Sequence, residues 1–438
     1  MKARFLLAAT GSGAGKTTLT LALLRAFKQR GVKVVPFKVG PDFIDPKWHA
    51  VAARVPSHNL DGWLLAPGIL RALLRKNAPA GSLAIIEGVM GLYDGLGISD
   101  EGGSAHVARL TGTPVVLVVD GRGMALSAAA VVKGFRDLDP RLVIGGVIIN
   151  RISSEAHYNL IKEAVEKRVG VPVLGWLPEA PDITLDSREL GLIPPEHYPQ
   201  VEDKLSKLAY LAEQHIDLGQ LQALTGAPLT DELPQLEAVG PVQVALAQDT
   251  AFAAYDQDTL ALWESLGAEF LPFSPLKHKQ LPPGAEAVML CGSATAYYAD
   301  ALSKNEPIRN AIRKCKLPLW AEGLGAAYVG RQLGGFPMCG LLEHSTRAGT
   351  RLARFGYVKT DVGRAQEFRY LEGEIEGANV IATKPERETS WLCGRHEPGL
   401  HVFWPHTQGW SNPGLVRDFL AHAVQGKPLS RGLPVNLC

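Results

Sequence analysis

The sequence predicts an α/β protein built as two successive units. Three observations carry this. Short apolar runs alternate with helix-length segments through the first half, a Gly-rich loop ending in Gly-Lys-Thr-Thr follows the first run, and a new series of apolar runs begins after a stretch containing Pro and acidic residues. The 438 residues suffice for two or three domains, each with its own core. A composition of 46% hydrophobic and 20% charged residues belongs to a globular chain rather than a disordered one.

In the first half, Phe5–Ala9, Val34–Phe37, Leu83–Glu87, Val115–Val119 and Val143–Ile149 read as strands. Enough chain separates each from the next for a crossover helix. That is the pattern of a parallel sheet covered on both faces, and such sheets bind ligands at the carboxyl ends of their strands. The run at Phe5 follows basic residues, as in a secretory leader, but it stops at Thr10-Gly11 and reads as a buried strand. A helix is expected over 202–224, with Leu205, Leu208, Leu211 and Leu221 on its apolar side. Ala227-Pro228-Leu229-Thr230-Asp231-Glu232-Leu233-Pro234 is the best linker. The expected boundaries are a first domain over 1–225, a linker over 226–240 and a second domain over 241–438. The second domain reads as α/β again, with strands at Val242–Ala247, Glu269–Leu271, Ala287–Leu290, Leu319–Ala321 and Leu400–Trp404.

Several classes of function are disfavoured. The chain has 45 basic and 44 acidic residues, leaving a formal charge of +1, so no basic field points to nucleic acid. No window approaches the roughly 18 apolar residues of a membrane span. Cys291, Cys315, Cys339, Cys393 and Cys438 lack Cys-x-x-Cys spacing, which argues against a zinc site or a disulfide framework and fits a reducing cytoplasm.

The chemistry is concentrated at predicted strand ends. Residues Thr10-Gly11-Ser12-Gly13-Ala14-Gly15-Lys16-Thr17-Thr18 follow a strand and open a helix over Leu19–Arg30. The glycines let backbone N–H groups turn onto phosphate oxygens, and the helix N-terminus adds a favourable dipole. The standard P-loop has Gly where Thr10 stands, so this is a variant loop. Ser12, Gly13, Ala14, Gly15, Lys16, Thr17 and Thr18 are the candidate ATP contacts, with Lys16 on the outer phosphates and Thr17 on Mg2+. The second cluster is Phe37-Lys38-Val39-Gly40-Pro41-Asp42-Phe43-Ile44-Asp45-Pro46. There, Lys38 can neutralise a phosphoryl group in transfer, and Asp42 and Asp45 can hold or orient Mg2+. The same Gly-Pro-Asp also fits a plain polar turn. The third is Glu87-Gly88-Val89-Met90-Gly91-Leu92-Tyr93-Asp94-Gly95, where Glu87 directly ends a strand as the expected metal ligand. Asp94 lies on the Gly-rich segment beyond it, as a functional acid or as a cap. Asn150, at another strand end, reads either as an adenine contact or as a turn residue.

Together these blocks resemble the cobyrinic acid a,c-diamide synthase family. The similarity continues through Ser57-His58-Asn59-Leu60-Asp61, Gly146-Val147-Ile148-Ile149-Asn150-Arg151, Val244-Ala245-Leu246-Ala247-Gln248-Asp249-Thr250-Ala251-Phe252 and Phe273-Ser274-Pro275-Leu276, in order along nearly the whole chain. The resemblance implies a P-loop synthetase domain followed by a triad-type glutamine-amidotransferase-like domain. It implies that ATP phosphorylates a side-chain carboxylate of a tetrapyrrole and that ammonia displaces the phosphate to leave an amide. Carried over, Lys16, Thr17, Lys38, Asp45 and Glu87 serve ATP and Mg2+, with Thr17, Asp45 and Glu87 as metal ligands. Lys38, Asp45 and Asp94 are then the catalytic set, Asp94 lying near the substrate carboxylate. A homodimer is expected by analogy only.

The chain departs from the family where the glutaminase nucleophile belongs. The segment Leu319-Trp320-Ala321-Glu322-Gly323-Leu324-Gly325 has Gly323 at the Cys position, and glycine has no side chain to attack with. The family's Gly-His-Glu-Phe-His-like segment reads Ala365-Gln366-Glu367-Phe368-Arg369-Tyr370, and its His-x-His reads His406-Thr407-Gln408. Cys291, Cys315 and Cys339 read as small buried or incidental residues rather than replacements. The resemblance then implies free ammonia or a separate glutaminase as nitrogen source. Two alternatives stay open: amidation of sirohydrochlorin or siroheme instead of cobyrinic acid, and a non-catalytic subunit that binds tetrapyrrole or nucleotide.

Overall fold

A computed structural model describes residues 3–179, 187–188, 191–192, 195–293 and 295–426. Met1, Lys2 and Cys438 lie outside the described residues. The chain falls into two compact units, Met1–Leu233 and Pro234–Cys438.

The first unit runs β1 (Ala3–Ala9), α1 (Lys16–Gln29), β2 (Val34–Val39), α2 (Asp45–Ala53), β3 (His58–Leu60), α3 (Pro67–Asn77), β4 (Leu83–Glu87), α4 (Ser104–Thr111), β5 (Val115–Asp120), α5 (Ser127–Leu138), β6 (Ile144–Ile152), α6 (Glu155–Val169) and β7 (Val173–Pro178). A short pair, β8 (Ser187–Arg188) and β9 (Gly191–Leu192), precedes α7 (Val201–His215) and α8 (Leu218–Ala223). Seven strands form one sheet in the order β3-β2-β4-β1-β5-β6-β7, all in parallel. The five expected strands are present. Two more were not anticipated: β3, which is only three residues long, and β7, whose apolar run is interrupted by Gly175.

The helix expected over 202–224 is two helices. Ile216 is extended (φ −122°, ψ 135°) and forms an isolated bridge with Gly175, and the Asp217 side chain then caps α8 by accepting from the Gln220 N–H. Apolar periodicity continues across the break, which is why the sequence alone reads through it.

Helix α1 is the hub of this unit. It starts where Gly15 (φ 94°) turns the chain out of the loop, and most of its residues are buried. Leu19, Leu23 and Phe27 share one core with Leu205, Leu208 and Ala212 of α7. Buried Arg25 donates to the carbonyls of Ala52 at 3.0 Å and Val51 at 2.9 Å, and pairs with Glu202 at 2.6 Å. The guanidinium thereby caps the C-terminal carbonyls of α2 and fixes that helix against the sheet. Part of the stretch read as a linker is anchored: Asp231 pairs with Arg71 at 2.8 Å, and the Ala227 N–H donates to the Gly112 carbonyl at 2.9 Å.

The second unit runs β10 (Val242–Ala247), α9 (Gln257–Ser265), β11 (Ala268–Phe273), β12 (Ala287–Gly292), α10 (Ala299–Lys304), α11 (Glu306–Lys314), β13 (Leu319–Gly323) and α12 (Leu324–Tyr328). A small sheet of β14 (Gln332–Leu333), β15 (Phe336–Pro337), β16 (Ser345–Ala348) and β19 (Leu371–Glu372) follows. The large sheet is completed by β17 (Arg354–Thr360), β18 (Gly363–Arg369), β20 (Val380–Thr383), β21 (Ser390–Glu397), β22 (Leu400–Phe403) and β23 (His406–Thr407), and α13 (Pro413–Val424) closes the described chain. Its order is β11-β10-β12-β13-β22-β21-β20-β17-β18-β23. The sheet is parallel from β11 to β22 and antiparallel beyond. Among the described residues, no helix is long and apolar enough to cross a membrane.

Candidate active site

The parallel sheet of the first unit delivers three strand ends to one place. β1 runs into the Gly-rich loop, and β2 and β4 pair with Lys38 opposite Glu87. Lys38 Nζ lies 2.6 Å from Asp45 Oδ2 and 3.0 Å from Glu87 Oε1. The Thr17 hydroxyl, in the first turn of α1, donates to the same Glu87 Oε1 at 2.7 Å. The structure therefore brings Thr17, Lys38, Asp45 and Glu87 into one contiguous cluster from four segments. Glu87 is fully buried, as is His49, whose Nε2 lies 2.7 Å from Glu87 Oε2. His49 was not singled out from the sequence; its Nδ1 lies 3.2 Å from the hydroxyl of Ser57, which the sequence marks only as part of the Ser57-His58-Asn59-Leu60-Asp61 block.

The electrostatics follow from this packing. Burial pushes the Glu87 carboxyl up, but Lys38, His49 and the Thr17 hydroxyl outweigh it and hold the group well below the usual carboxylate range. Burial pulls Lys38 down, and the carboxylates of Asp45, Glu87 and Asp42 more than reverse this, so the ammonium is firmly charged. Burial and the neighbouring Asp42 push Asp45 up to about 7, against the pull of Lys38. Burial and then Lys38 lower Lys16, whose ammonium donates to the Met90 carbonyl. Asp42 accepts from the N–H groups of Ile44 at 2.7 Å and Asp45 at 3.0 Å, and so shapes the turn into α2 rather than joining the Lys38 cluster directly.

The remaining expected residues are close by but differently engaged. Asp94 accepts from the Gly91 N–H at 2.8 Å, and this loop packs beside Gly11 of the P-loop, with 3.4 Å left between a Cβ built on Gly91 and the Gly11 Cα. Ser12, Gly13 and Ala14 form the loop crest, with Gly13 at φ 77°, and Thr18 lies in the first turn of the helix. Asn150 is turned under the loop. Its Nδ2 donates to the Ala14 carbonyl at 2.8 Å and occupies the space that any side chain at Gly15 would need. Arg151 supports the loop beside it, donating to the Gly13 carbonyl at 2.7 Å and pairing with Asp120 at 2.6 Å.

A P-loop implies a divalent cation, and the donors here suit one. A threonine hydroxyl and an ionised carboxylate lie side by side, both hard oxygen donors. Among the described residues, no group of three or more His, Cys, Asp or Glu could cage a metal alone.

The second unit holds a different centre. Gly323 ends β13 at φ 58°, ψ −113°, on a tight strand-to-helix turn. A Cβ there would collide with the Gly292 carbonyl oxygen and lie 2.6 Å from His406 Nε2. Neighbouring Glu322 is buried and accepts from Trp320 Nε1 at 3.1 Å and the Thr407 hydroxyl at 2.6 Å. His401 and His406 approach its carboxylate at 3.3 Å and 3.4 Å. Burial pushes Glu322 up, but the two imidazoles outweigh it and hold it at about 2. Gln408 is tied to Asp256 at 2.6 Å, and Arg369 pairs with Glu367 at 2.7 Å while lying over the Trp404 ring. Burial raises the thiols of Cys291 and Cys339, the opposite of what a nucleophilic thiolate needs.

Two histidines, His401 and His396, give the second unit an acid sensitivity. His401 is stacked between Trp320 at 3.7 Å and Phe403 at 3.9 Å, and burial lowers its affinity for a proton. Burial, with His401 nearby, lowers His396 to about 4 from an ordinary value of 6.5. Both bind protons more readily when unfolded, so their stabilising contribution is complete above about 6.5 and is lost as the pH falls. The melting temperature is expected to drop between pH 7 and pH 5, and His396→Gln to lessen that drop in scanning calorimetry.

Comparison with known proteins places the chain among nucleotide-dependent enzymes. Residues 5–192 match the family model described as the CobQ/CobB/MinD/ParA nucleotide binding domain. The chain is 42% identical over 367 residues to a cobyrinate a,c-diamide synthase of Listeria monocytogenes serotype 4b, covering 81% of each chain. Identity is 36% to the enzyme of that name from Listeria innocua, over 94% of this chain and 98% of the relative. It is 35% to the one from Salmonella typhimurium, over 96% and 98%.

Proposed function

The chain belongs to the cobyrinate a,c-diamide synthase family, and from that premise we propose that it is a ligase that uses ATP to amidate the a- and c-acetate carboxylates of cobyrinic acid. The observation that carries the site assignment is Lys38 held between Asp45 and Glu87, with Glu87 bonded to Thr17 of the P-loop. The name shared by the relatives favours cobyrinic acid over sirohydrochlorin, and the intact charged cluster favours catalysis over passive binding.

A carboxylate is a poor acyl donor because its leaving group would be an oxide. The substrate carboxylate oxygen attacks the γ-phosphorus, the bond to the β,γ-bridging oxygen breaks, and ADP leaves. Ammonia then attacks the acyl carbon of the resulting acyl phosphate, inorganic phosphate departs and a proton is lost, giving the amide. In this reading Gly13, Gly15 and the N-terminus of α1 cradle phosphate, and Lys16 exchanges the Met90 carbonyl for a phosphate oxygen. Lys38 neutralises charge on the phosphoryl group in transfer. Thr17 and Glu87 would hold Mg2+, with Asp45 beside them, and the ion would supply charge neutralisation across the phosphates. Asp94 is assigned to the substrate side because its loop adjoins the P-loop. Asn150 is assigned to holding the nucleotide loop in shape.

The domain boundary at 226–240 fits a ligase domain joined to a glutaminase-like domain without a nucleophile. What supports this is Gly323 at the turn, together with the structural bonds now made by Arg369 and Gln408. Ammonia, free or from a separate glutaminase, is then the nitrogen source. The test is mass spectrometry of products after incubation with ATP, Mg2+ and cobyrinic acid or sirohydrochlorin, with glutamine or ammonium chloride. Two amidations of cobyrinic acid with ammonium and none with glutamine are expected. Equal use of glutamine would overturn the nitrogen assignment, and absence of product from both rings with both nitrogen sources would overturn the ligase reading.

A further inference from the structure

We propose that His49 is a positioning residue that orients Glu87 for cation binding, an inference that rests on the assignment of Glu87 above. Helix α2 begins at Asp45 with Pro46 next, and Asp45 and His49 are four residues apart, hence on one helix face. That face meets the strand ends. Asp45 reaches Lys38 at 2.6 Å, and His49 Nε2 reaches Glu87 Oε2 at 2.7 Å. The imidazole is fully buried, and its Nδ1 lies 3.2 Å from the buried Ser57 hydroxyl.

These contacts fix the ring. An ionised carboxylate only accepts hydrogen bonds, so Nε2 carries the proton that binds Glu87, and Ser57 serves the other nitrogen. Glu87 Oε2 is thereby occupied, and Oε1 is left turned toward Thr17 and Lys38. The grip of Arg25 on the carbonyls of Val51 and Ala52 keeps α2 from sliding and taking the imidazole with it. A partner behind a ligating oxygen typically contributes about 10–100-fold to metal affinity. A histidine that only filled core volume would affect stability and leave cation affinity alone.

The test uses the full chain with a non-hydrolysable ATP analogue and Mn2+ as the probe, free Mn2+ being counted by electron paramagnetic resonance. His49→Ala is expected to weaken Mn2+ binding about 10–100-fold. His49→Gln, whose amide N–H can take the place of Nε2–H, is expected to recover most of it. Binding of the analogue without metal should be unchanged in both. Unaltered Mn2+ affinity in a folded His49→Ala protein would overturn the proposal, as would an equal loss in His49→Gln. If His49→Ala does not fold, Ser57→Ala takes its place: it frees the ring with little loss of volume, a weaker Mn2+ affinity is expected, and no change would overturn the proposal. The readout needs no amide product, so a wild-type chain that binds Mn2+ but makes no amide counts against the ligase reading and not against this one.

Discussion

Glu87→Gln is expected to lower the rate of ATP-dependent amide formation by about 10²–10³-fold, the scale seen when one preorganised electrostatic contact is removed from a transition state. The substitution keeps the shape of the side chain and removes its charge. The Lys38 ammonium loses a charged partner 3.0 Å away, and the single amide oxygen can accept either from Thr17 at 2.7 Å and Lys38 or from His49 at 2.7 Å, not from both sides. Removing one partner of a buried ion pair typically costs about 3–5 kcal/mol. Here the cost should fall at the low end, because Asp45 stays 2.6 Å from Lys38 and keeps it paired. A loss of activity caused by unfolding is therefore separable from one caused by chemistry. Single-turnover amide formation should collapse while the melting curve shifts modestly and metal-free nucleotide binding persists. Asp45→Asn should reduce the rate as well, with Glu87 still bonded to Thr17. Normal rates in both variants would remove the role assigned to this cluster.

Part of that cluster was legible in the sequence because two of its members, Lys38 and Glu87, lie at strand ends. An apolar run that stops at a Lys or an acid is visible without coordinates, and a parallel sheet sends all such ends to one edge. Lys38 and Glu87 were found in this way, and they are opposite each other in the register. His49 was not found, because its contribution depends on α2. The segment Asp45-Pro46-Lys47-Trp48-His49 has too little apolar periodicity to announce a helix. The usable signal was Pro at the first turn with an acid and a histidine four apart. Asn150 was legible as a strand-end residue but not in its direction: its amide turns back under the loop to the Ala14 carbonyl. The antiparallel half of the second sheet was also missed. β17 and β18 carry Arg354, Lys359, Arg364, Gln366, Glu367 and Arg369, and only part of each strand is buried, so neither shows an apolar run.

Gly323→Cys is expected to leave the second unit without glutaminase activity, although it restores the residue type whose absence defines the departure from the family. The turn itself survives, with Gly323 at φ 58° at the end of β13, but the space beside it does not. A Cβ would strike the Gly292 carbonyl, which is backbone and cannot swing aside, and would lie 2.6 Å from His406 Nε2. A non-glycine residue in such a conformation adds about 1–3 kcal/mol of strain, equivalent to roughly 2–4 °C in melting temperature per kcal/mol for a unit of this size. Cys291 on the adjoining strand offers no substitute, because burial and then the Glu322 carboxylate raise its thiol. Glutamate release from glutamine should stay at background in this variant, its melting temperature should fall, and ammonium-driven amide formation should persist. Glutamate release well above the wild-type level would mean that the centre is a working glutaminase lacking one atom group. The bonds of Arg369 to Glu367 and of Gln408 to Asp256 argue against that, since each side chain is already held by a neighbouring carboxylate.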